Sequence, residues 1–129
     1  MKRVNVNLIV KRADSEPNVL YFEQLTDAEQ NERLRAALVA YLKEGELTAQ
    51  AFESWVKQSF SRVGEPAEVE RLEYPALYYD RAGFRVPYTF LLDANHNEAM
   101  VWKWEARVFR GSLEELTAWL TRTSKAKAD

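Results

Sequence analysis

The spacing of the apolar residues changes twice along this chain, and those changes limit the folds that it can adopt. Near the N-terminus, Val4, Val6, Leu8 and Val10 alternate with other side chains. This is the pattern of a half-buried strand, and it predicts a strand over residues 3–11. A turn-forming sequence at 14–18 follows, and the apolar residues 19–22 predict a second short strand that pairs with the first as a hairpin.

Helical spacing replaces the alternation after Thr26. This residue, with a glutamate three positions later, has the capping-box pattern and predicts a helix that starts at Asp27. Gly45 is expected to end that helix in the left-handed conformation. Thr48 then caps a second helix, which keeps its apolar stripe until Gly64. Because the connection is very short, the two helices should form a helical hairpin.

Alternation returns after an acidic linker at residues 65–70. Segments 72–79 and 86–92 are predicted to be strands, and residues 100–109 are predicted to form a third, longer strand, because turn sequences separate the three. Ser112, with a glutamate three residues later, begins a second capping box and the last helix.

Together these elements predict an α+β fold in the order β(β)ααβββα. It has a mainly antiparallel sheet of four to five strands, a helical hairpin and a C-terminal helix. Trp102 and Trp104 fall on one face of the long predicted strand, and we expect the helices to pack on that face. The residues expected to be largely buried are Trp55, Phe60, Trp102, Trp104 and Leu116.

The composition fits a single domain over residues 1–129. The chain is 47% hydrophobic, with only 4 Gly and 4 Pro, so it can build a core without disulfides. The absence of cysteine suits a reducing compartment, and no segment approaches the ~20 apolar residues that cross a bilayer, so we expect a cytoplasmic protein with no membrane partner. A net charge of −2 makes nucleic acid an unfavoured partner. The basic tail from about residue 123 is expected to be mobile.

His96 is the single histidine, which excludes a multi-histidine metal site within one chain. It lies in a turn with Asp93, Asn95 and Asn97, whose oxygens could in principle hold a hard cation. The ligand spacing of a calcium loop is missing, however, and such a turn is typical of residues that tolerate a positive φ. We therefore expect no metal.

Four carboxylates, Glu65, Glu68, Glu70 and Glu73, could supply an acid and a base, but they lie in or beside the acidic linker, where charge keeps the backbone solvated. No nucleophile motif, phosphate-binding glycine loop or dinucleotide fingerprint occurs. We therefore expect neither a catalytic residue nor a cofactor, and an enzyme is the less favoured interpretation.

Part of the chain resembles the C-terminal half of thioredoxin-fold proteins. The resemblance rests on residues 86–93, on the following turn and strand, and on the capped helix from Ser112 to Leu120. In that family a cis proline precedes a strand beside the redox centre, which implies a cis peptide at Pro87. The CxxC motif is absent and two successive helices replace the upstream strand–helix–strand order. The resemblance therefore implies a cysteine-free thioredoxin-like domain without redox function.

Since no reaction centre is recognisable, we expect a small non-catalytic binding or regulatory protein that acts through protein–protein contact. The second face of the predicted sheet carries more large apolar side chains than a solvated face needs. These residues, the expected interaction face, are Leu77, Tyr79, Leu91, Val101 and Phe109. Another protein or a second copy in a twofold homodimer would cover them.

Two other classes of function stay open. One is a small-ligand-binding protein or enzyme with a pocket between the helical hairpin and the sheet. The other is a single-stranded nucleic-acid binder that stacks bases on Trp102 and Trp104, which requires both rings in solvent beside cations such as Lys103.

Overall fold

A six-stranded mixed sheet carries the fold, with its two central strands running parallel. The structure, a computed structural model, describes residues 2–9, 19–26, 28–60, 67–79 and 82–128. The strands and helices are β1 (Lys2–Ile9), β2 (Val19–Thr26), α1 (Ala28–Glu44), α2 (Ala49–Phe60), β3 (Glu70–Leu72), β4 (Tyr88–Asp93), β5 (Glu98–Lys103), β6 (Ala106–Gly111) and α3 (Leu113–Ala128). Across the sheet the order is β3-β2-β1-β4-β5-β6, in which β1 and β4 are parallel and the other neighbours are antiparallel.

The fold is α+β, as predicted, and four of its five strand pairings are antiparallel, but the sheet is mixed and has six strands instead of the expected four to five. Two segments explain the difference. Segment 72–79 contributes only the end of β3 and then crosses the sheet, so that the chain enters β4 parallel to β1. The predicted long strand at 100–109 is instead the β5–β6 hairpin, because the chain reverses at Trp104 and Glu105.

One face of the sheet packs against all three helices and holds the hydrophobic core. Val6 and Phe90, which pair across β1 and β4, are fully buried there, as is Val101 of β5. The helices contribute Leu34, Leu38, Tyr41, Phe52, Val56, Leu113, Leu116 and Leu120. Since Trp102 points to the opposite face, the predicted packing of helices on the tryptophan-bearing face is wrong.

The capping signals in the described part of the chain are confirmed. The Thr48 hydroxyl accepts a hydrogen bond of 3.2 Å from the Ala51 amide and caps α2. Ser112 and Glu115 exchange two hydrogen bonds of 3.0 Å, each from a backbone amide to the other side chain, at the start of α3. The predicted signals that lie outside the described residues or side chains are the turn at 14–18, the Thr26 capping box, the helix start at Asp27 and the stop at Gly64. Helix α3 continues to Ala128, and mobility of the tail stays a prediction.

Gly45 follows the last residue of α1, but the predicted left-handed conformation does not account for the glycine. Gly45 is not in the left-handed region. Instead, a Cβ at this position would overlap the ring and the carbonyl oxygen of Tyr41. The Gly45 amide donates to the Tyr41 carbonyl (2.7 Å), and the Tyr41 hydroxyl donates to the Glu46 carbonyl (2.6 Å). The Tyr41 ring also stacks on Trp55, at 4.8 Å between centroids, so one tyrosine closes the helical hairpin.

The opposite face of the sheet is covered by the chain itself. We call residues 73–79 and 82–87 the cover segment. The side-chain amide of Asn7, fully buried in β1, donates to the Ala76 carbonyl (3.1 Å) and accepts from the Ala76 amide (2.9 Å). The Asn5 amide, also fully buried, donates to the Tyr79 carbonyl. Two central side chains therefore bind the backbone of the cover segment.

Two further contacts fix the cover segment over β4 and β5. The Tyr78 amide donates to the buried Thr89 hydroxyl (3.2 Å), and the Tyr78 ring meets Trp102 edge-on at 5.7 Å between centroids. Trp102 retains only 7% of its exposure, so its predicted burial is confirmed, as is that of Leu116. The cover segment, and not a helix, lies over the Trp102 ring.

Removing the anchoring amide should loosen the cover segment. In Asn7→Leu the side chain keeps a similar size, but the Ala76 amide and carbonyl lose their partners, which should cost about 2–4 kcal/mol of unfolding free energy. Urea denaturation measures this cost, and hydrogen exchange at the Ala76 and Tyr78 amides should become faster. The control Gln58→Leu, on the exposed side of α2, should change stability by less than about 0.5 kcal/mol. Equal costs for both variants would contradict the anchoring role.

A second prediction concerns alkaline pH. Burial, and after it the charge of Glu46, raises the pKa of Tyr41 to about 12. In the unfolded chain the phenol ionises near pH 10. The stabilising contribution of the neutral phenol is therefore complete below about pH 10 and is lost as the pH rises towards 12. Tyr41→Phe should be less stable than the wild type at neutral pH, and the two urea midpoints should converge in that alkaline range. Parallel curves would contradict the assignment.

Candidate interaction surface

Four large aromatic side chains project into solvent at the cover segment and at the turn beside it. The exposed fractions are 79% for Tyr74, 42% for Tyr79, 69% for Phe84 and 47% for Trp104. We call these four residues the aromatic surface. Exposed apolar patches, as opposed to single scattered side chains, mark contact sites on proteins.

Backbone and ionic contacts hold the two parts of the aromatic surface together. Tyr79 forms an antiparallel bridge with Arg85 within the cover segment. The Arg85 guanidinium pairs with the Glu105 carboxylate of the β5–β6 turn at 2.7 Å. The Trp104 amide donates to the carbonyl of Pro87 at 2.8 Å. The turn that carries Trp104 is thus attached to the same segment that presents Tyr79 and Phe84.

Two aromatic residues at this site have left-handed backbone conformations. The φ angle is 64° at Tyr78 and 54° at Trp104. Such angles are uncommon for residues other than glycine, asparagine and aspartate, and strained backbone often marks functional sites. Two-residue hairpin turns usually take Asn-Gly or Asp-Gly. Since Trp104 neither suits this turn nor fills the core, turn formation does not explain the tryptophan.

The charges beside the aromatic surface leave an excess of positive charge at the start of β6. Glu105 is paired with Arg85, and Glu98 is paired with Arg110 at 3.3 Å. Lys103 is exposed at the end of β5, and among the described residues no ion pair engages it. Arg107, the second residue of β6, is also exposed and has no ion pair among the described residues.

The five residues of the expected interaction face do not share one face. Val101 is fully buried in the helix-side core, and Phe109 packs on the Trp119 ring of α3 at 5.3 Å between centroids. Leu77 and Leu91 are half-buried. Tyr79 alone among them belongs to the aromatic surface. The difference arises because the predicted strand at 72–79 is the cover segment, and because β5 and β6 are two strands.

Three residues that were expected to be largely buried are more exposed than expected. Trp104 was expected in the core, and that expectation is wrong, because the residue lies in the β5–β6 turn with 47% of its surface exposed. Trp55 and Phe60 are half-buried against the helix-side core. The stacking geometry of a nucleic-acid binder is met in part only, since Trp104 is exposed beside Lys103 whereas Trp102 is buried.

The turn with His96 is built by side chain–backbone hydrogen bonds. Asp93 accepts from the amides of Asn95 (2.9 Å) and His96 (3.3 Å), and its carboxylate lies 2.8 Å from the His96 ring nitrogen. Asn97 has a φ of 48°, as expected for such a turn. Within the described residues, no group of three or more acidic or histidine side chains could hold a metal ion. Of the linker carboxylates, Glu68 and Glu73 are exposed, Glu70 is half-buried in β3, and Glu65 lies outside the described residues.

Concave surface in the described part of the chain includes a region between the helices α1 and α3. Two adjoining grooves, of about 540 and 420 Å³, share Lys43, Glu114 and Thr117 and run between the end of α1 and the start of α3. Arg35 of α1 is a buried cation, but its guanidinium lies over the rings of Tyr88 (5.6 Å) and Trp119 (5.7 Å). It serves packing between α1, β4 and α3, and it is not part of either groove lining.

No described helix combines the length and apolar character that spanning a bilayer requires. The bond before Pro87 is not cis, so the expectation from the thioredoxin resemblance fails at that residue. Comparisons with protein-family models, curated proteins and solved structures found no match.

Substitution of the two tryptophans of the β5–β6 hairpin should change stability to very different extents. Trp102→Ala empties a packed site under the cover segment and should cost ~3–5 kcal/mol of unfolding free energy. Trp104→Asn should change it by less than about 1 kcal/mol, because relief of the left-handed backbone offsets the lost partial burial. Chemical denaturation followed by circular dichroism gives both values. A loss at Trp104 as large as that at Trp102 would show that Trp104 is a structural residue.

Proposed function

We propose that this chain is a small non-catalytic binding or regulatory protein that acts in the cytoplasm through protein–protein contact at the aromatic surface. The observation that carries the proposal is the exposure of Tyr74, Phe84 and Trp104 on backbone that is anchored to the sheet. Tyrosine, tryptophan and phenylalanine are enriched in protein interfaces and supply much of their binding energy.

Anchoring strengthens this proposal. The cover segment is held by the buried Asn5 and Asn7, and the turn is attached to it through Arg85 and Pro87. A surface whose backbone is fixed in advance loses less conformational entropy on binding than a free loop does. The absence of cysteine in the chain suits the reducing cytoplasm.

Self-association is the other form of this proposal, and the surface on which it would depend is now a different one. The expected homodimer relied on an uncovered second sheet face, and the cover segment occupies that face. A twofold dimer would therefore have to form through the aromatic surface itself. Such pairing brings the same patch of both copies together.

Site-specific photocrosslinking in cells of the native host tests the proposal. A benzophenone amino acid replaces Phe84 or Trp104, and a matched control variant carries it at the exposed Gln58 of α2. We expect the first two positions to give a common protein adduct that Gln58 does not give. An adduct of twice the 15.0 kDa chain mass would identify the partner as a second copy.

Two results would contradict a protein-binding role. Adducts that nuclease treatment removes would favour the nucleic-acid class, for which exposed Trp104 beside Lys103 is the relevant feature. Identical adduct patterns at Phe84, Trp104 and Gln58 would show that the aromatic surface has no specific partner.

A further inference from the structure

The outer edge of β6 is the longer of the two free sheet edges in the described part of the chain. The sheet ends at β3 on one side and at β6 on the other, and β3 has 3 residues whereas β6 has 6. An edge strand presents unpaired backbone donors and acceptors that can take another strand. Peptides commonly bind proteins by adding a strand to such an edge.

The β6 edge adjoins the aromatic surface. Trp104 and Glu105 form the turn that leads into Ala106, the first residue of β6. Val108, in the middle of the strand, is 43% exposed, next to a break in the register between β5 and β6. An extended segment that lies along β6 therefore reaches the aromatic surface at one end.

The charge on this edge selects among the strands that could bind. Arg107 and Arg110 are both exposed on β6, and Lys103 is exposed across the hairpin from Ala106. Arg110 pairs with Glu98, and Glu105 of the turn pairs with Arg85, so Lys103 and Arg107 are the cations of this edge that no ion pair engages among the described residues. The edge favours an acidic segment, with its carboxylates near the turn end of β6.

A second copy of the chain fits this edge poorly. If two β6 strands paired antiparallel over residues 106–111, Arg107 would lie directly across from Arg110 of the other copy, whose partly exposed ion pair with Glu98 offsets little of the repulsion. Like charges at opposite positions of a sheet are destabilising. The occupant that the charges favour is consequently a segment of a different protein.

We propose that β6 binds an extended, acidic segment of a partner protein as an added strand of the sheet. This inference rests on the proposed protein-binding function and names the part of the partner that the site would take. Backbone hydrogen bonds to the β6 edge supply the strand geometry, and the cations at the turn end supply the charge preference.

Titration with designed peptides tests the inference on the full chain. The probes are a strand-forming peptide of alternating Thr and Glu, the same peptide with Lys in place of Glu, and an acidic version that is N-methylated at alternate residues. We expect the acidic peptide to bind, the lysine peptide not to bind, and the N-methylated peptide to lose binding because its backbone cannot pair. Hydrogen exchange should slow at the amides of β6.

Charge reversal gives the matched comparison. Arg107→Glu should weaken binding of the acidic peptide by roughly tenfold, whereas Lys57→Glu, the same charge change on exposed α2, should have little effect. Equal binding of the acidic and lysine peptides, no binding of the acidic peptide, an unchanged affinity after N-methylation, or unchanged exchange at the amides of β6 would each overturn the inference. Crosslinks at Phe84 and Trp104 would persist in that case, so this failure is distinct from failure of the proposed function.

Discussion

The hydrogen bonds of Asn5 and Asn7 are the interactions on which the arrangement of the whole outer face depends. Both side chains are fully buried in β1, a central strand, and each binds the backbone of the cover segment. Irregular backbone can pack on a sheet only if its amides and carbonyls find partners, because unpaired polar groups are costly to bury. Asparagine has both a donor and an acceptor, so a single side chain can satisfy both groups of Ala76. In the described part of the chain, irregular backbone thereby covers the central strands on the face opposite the helices.

The same anchoring explains why aromatic side chains are exposed. The cover segment is fastened mainly through its backbone at Ala76, Tyr78 and Tyr79, so several of its side chains are not needed underneath. Tyr78 turns inward onto Trp102, while Tyr74 and Phe84 project into solvent. A strand or a helix in this place would have directed regularly spaced side chains towards the sheet. The aromatic surface is in this sense a consequence of covering a sheet with irregular chain.

Local signals predicted the local structure well, and the non-local arrangement escaped them. The caps at Thr48 and Ser112 could be predicted because each joins residues that are only three positions apart. In the sequence, a polar residue at position 7 looks the same whether it faces solvent or binds Ala76, which lies 69 positions away. The turn at Trp104 has no glycine or asparagine, so periodicity merges β5 and β6 into one strand. Most of the candidate site was missed for both reasons: sequence reasoning included Tyr79 in the expected interaction face and Trp104 only as a base-stacking alternative, and it did not include Tyr74 or Phe84.

Trp104 connects the three unusual features of this end of the molecule. Its left-handed backbone is unfavourable, its ring is half in solvent, and it precedes a basic edge strand. If this residue served only the turn, asparagine or glycine would suit the position better. If it served only the core, its side chain would be buried. Because the turn is tied to Pro87 and Glu105 is tied to Arg85, the backbone that carries the ring is attached to the cover segment. An exposed aromatic group on backbone that is anchored in advance can form a binding contact with little further ordering of the protein.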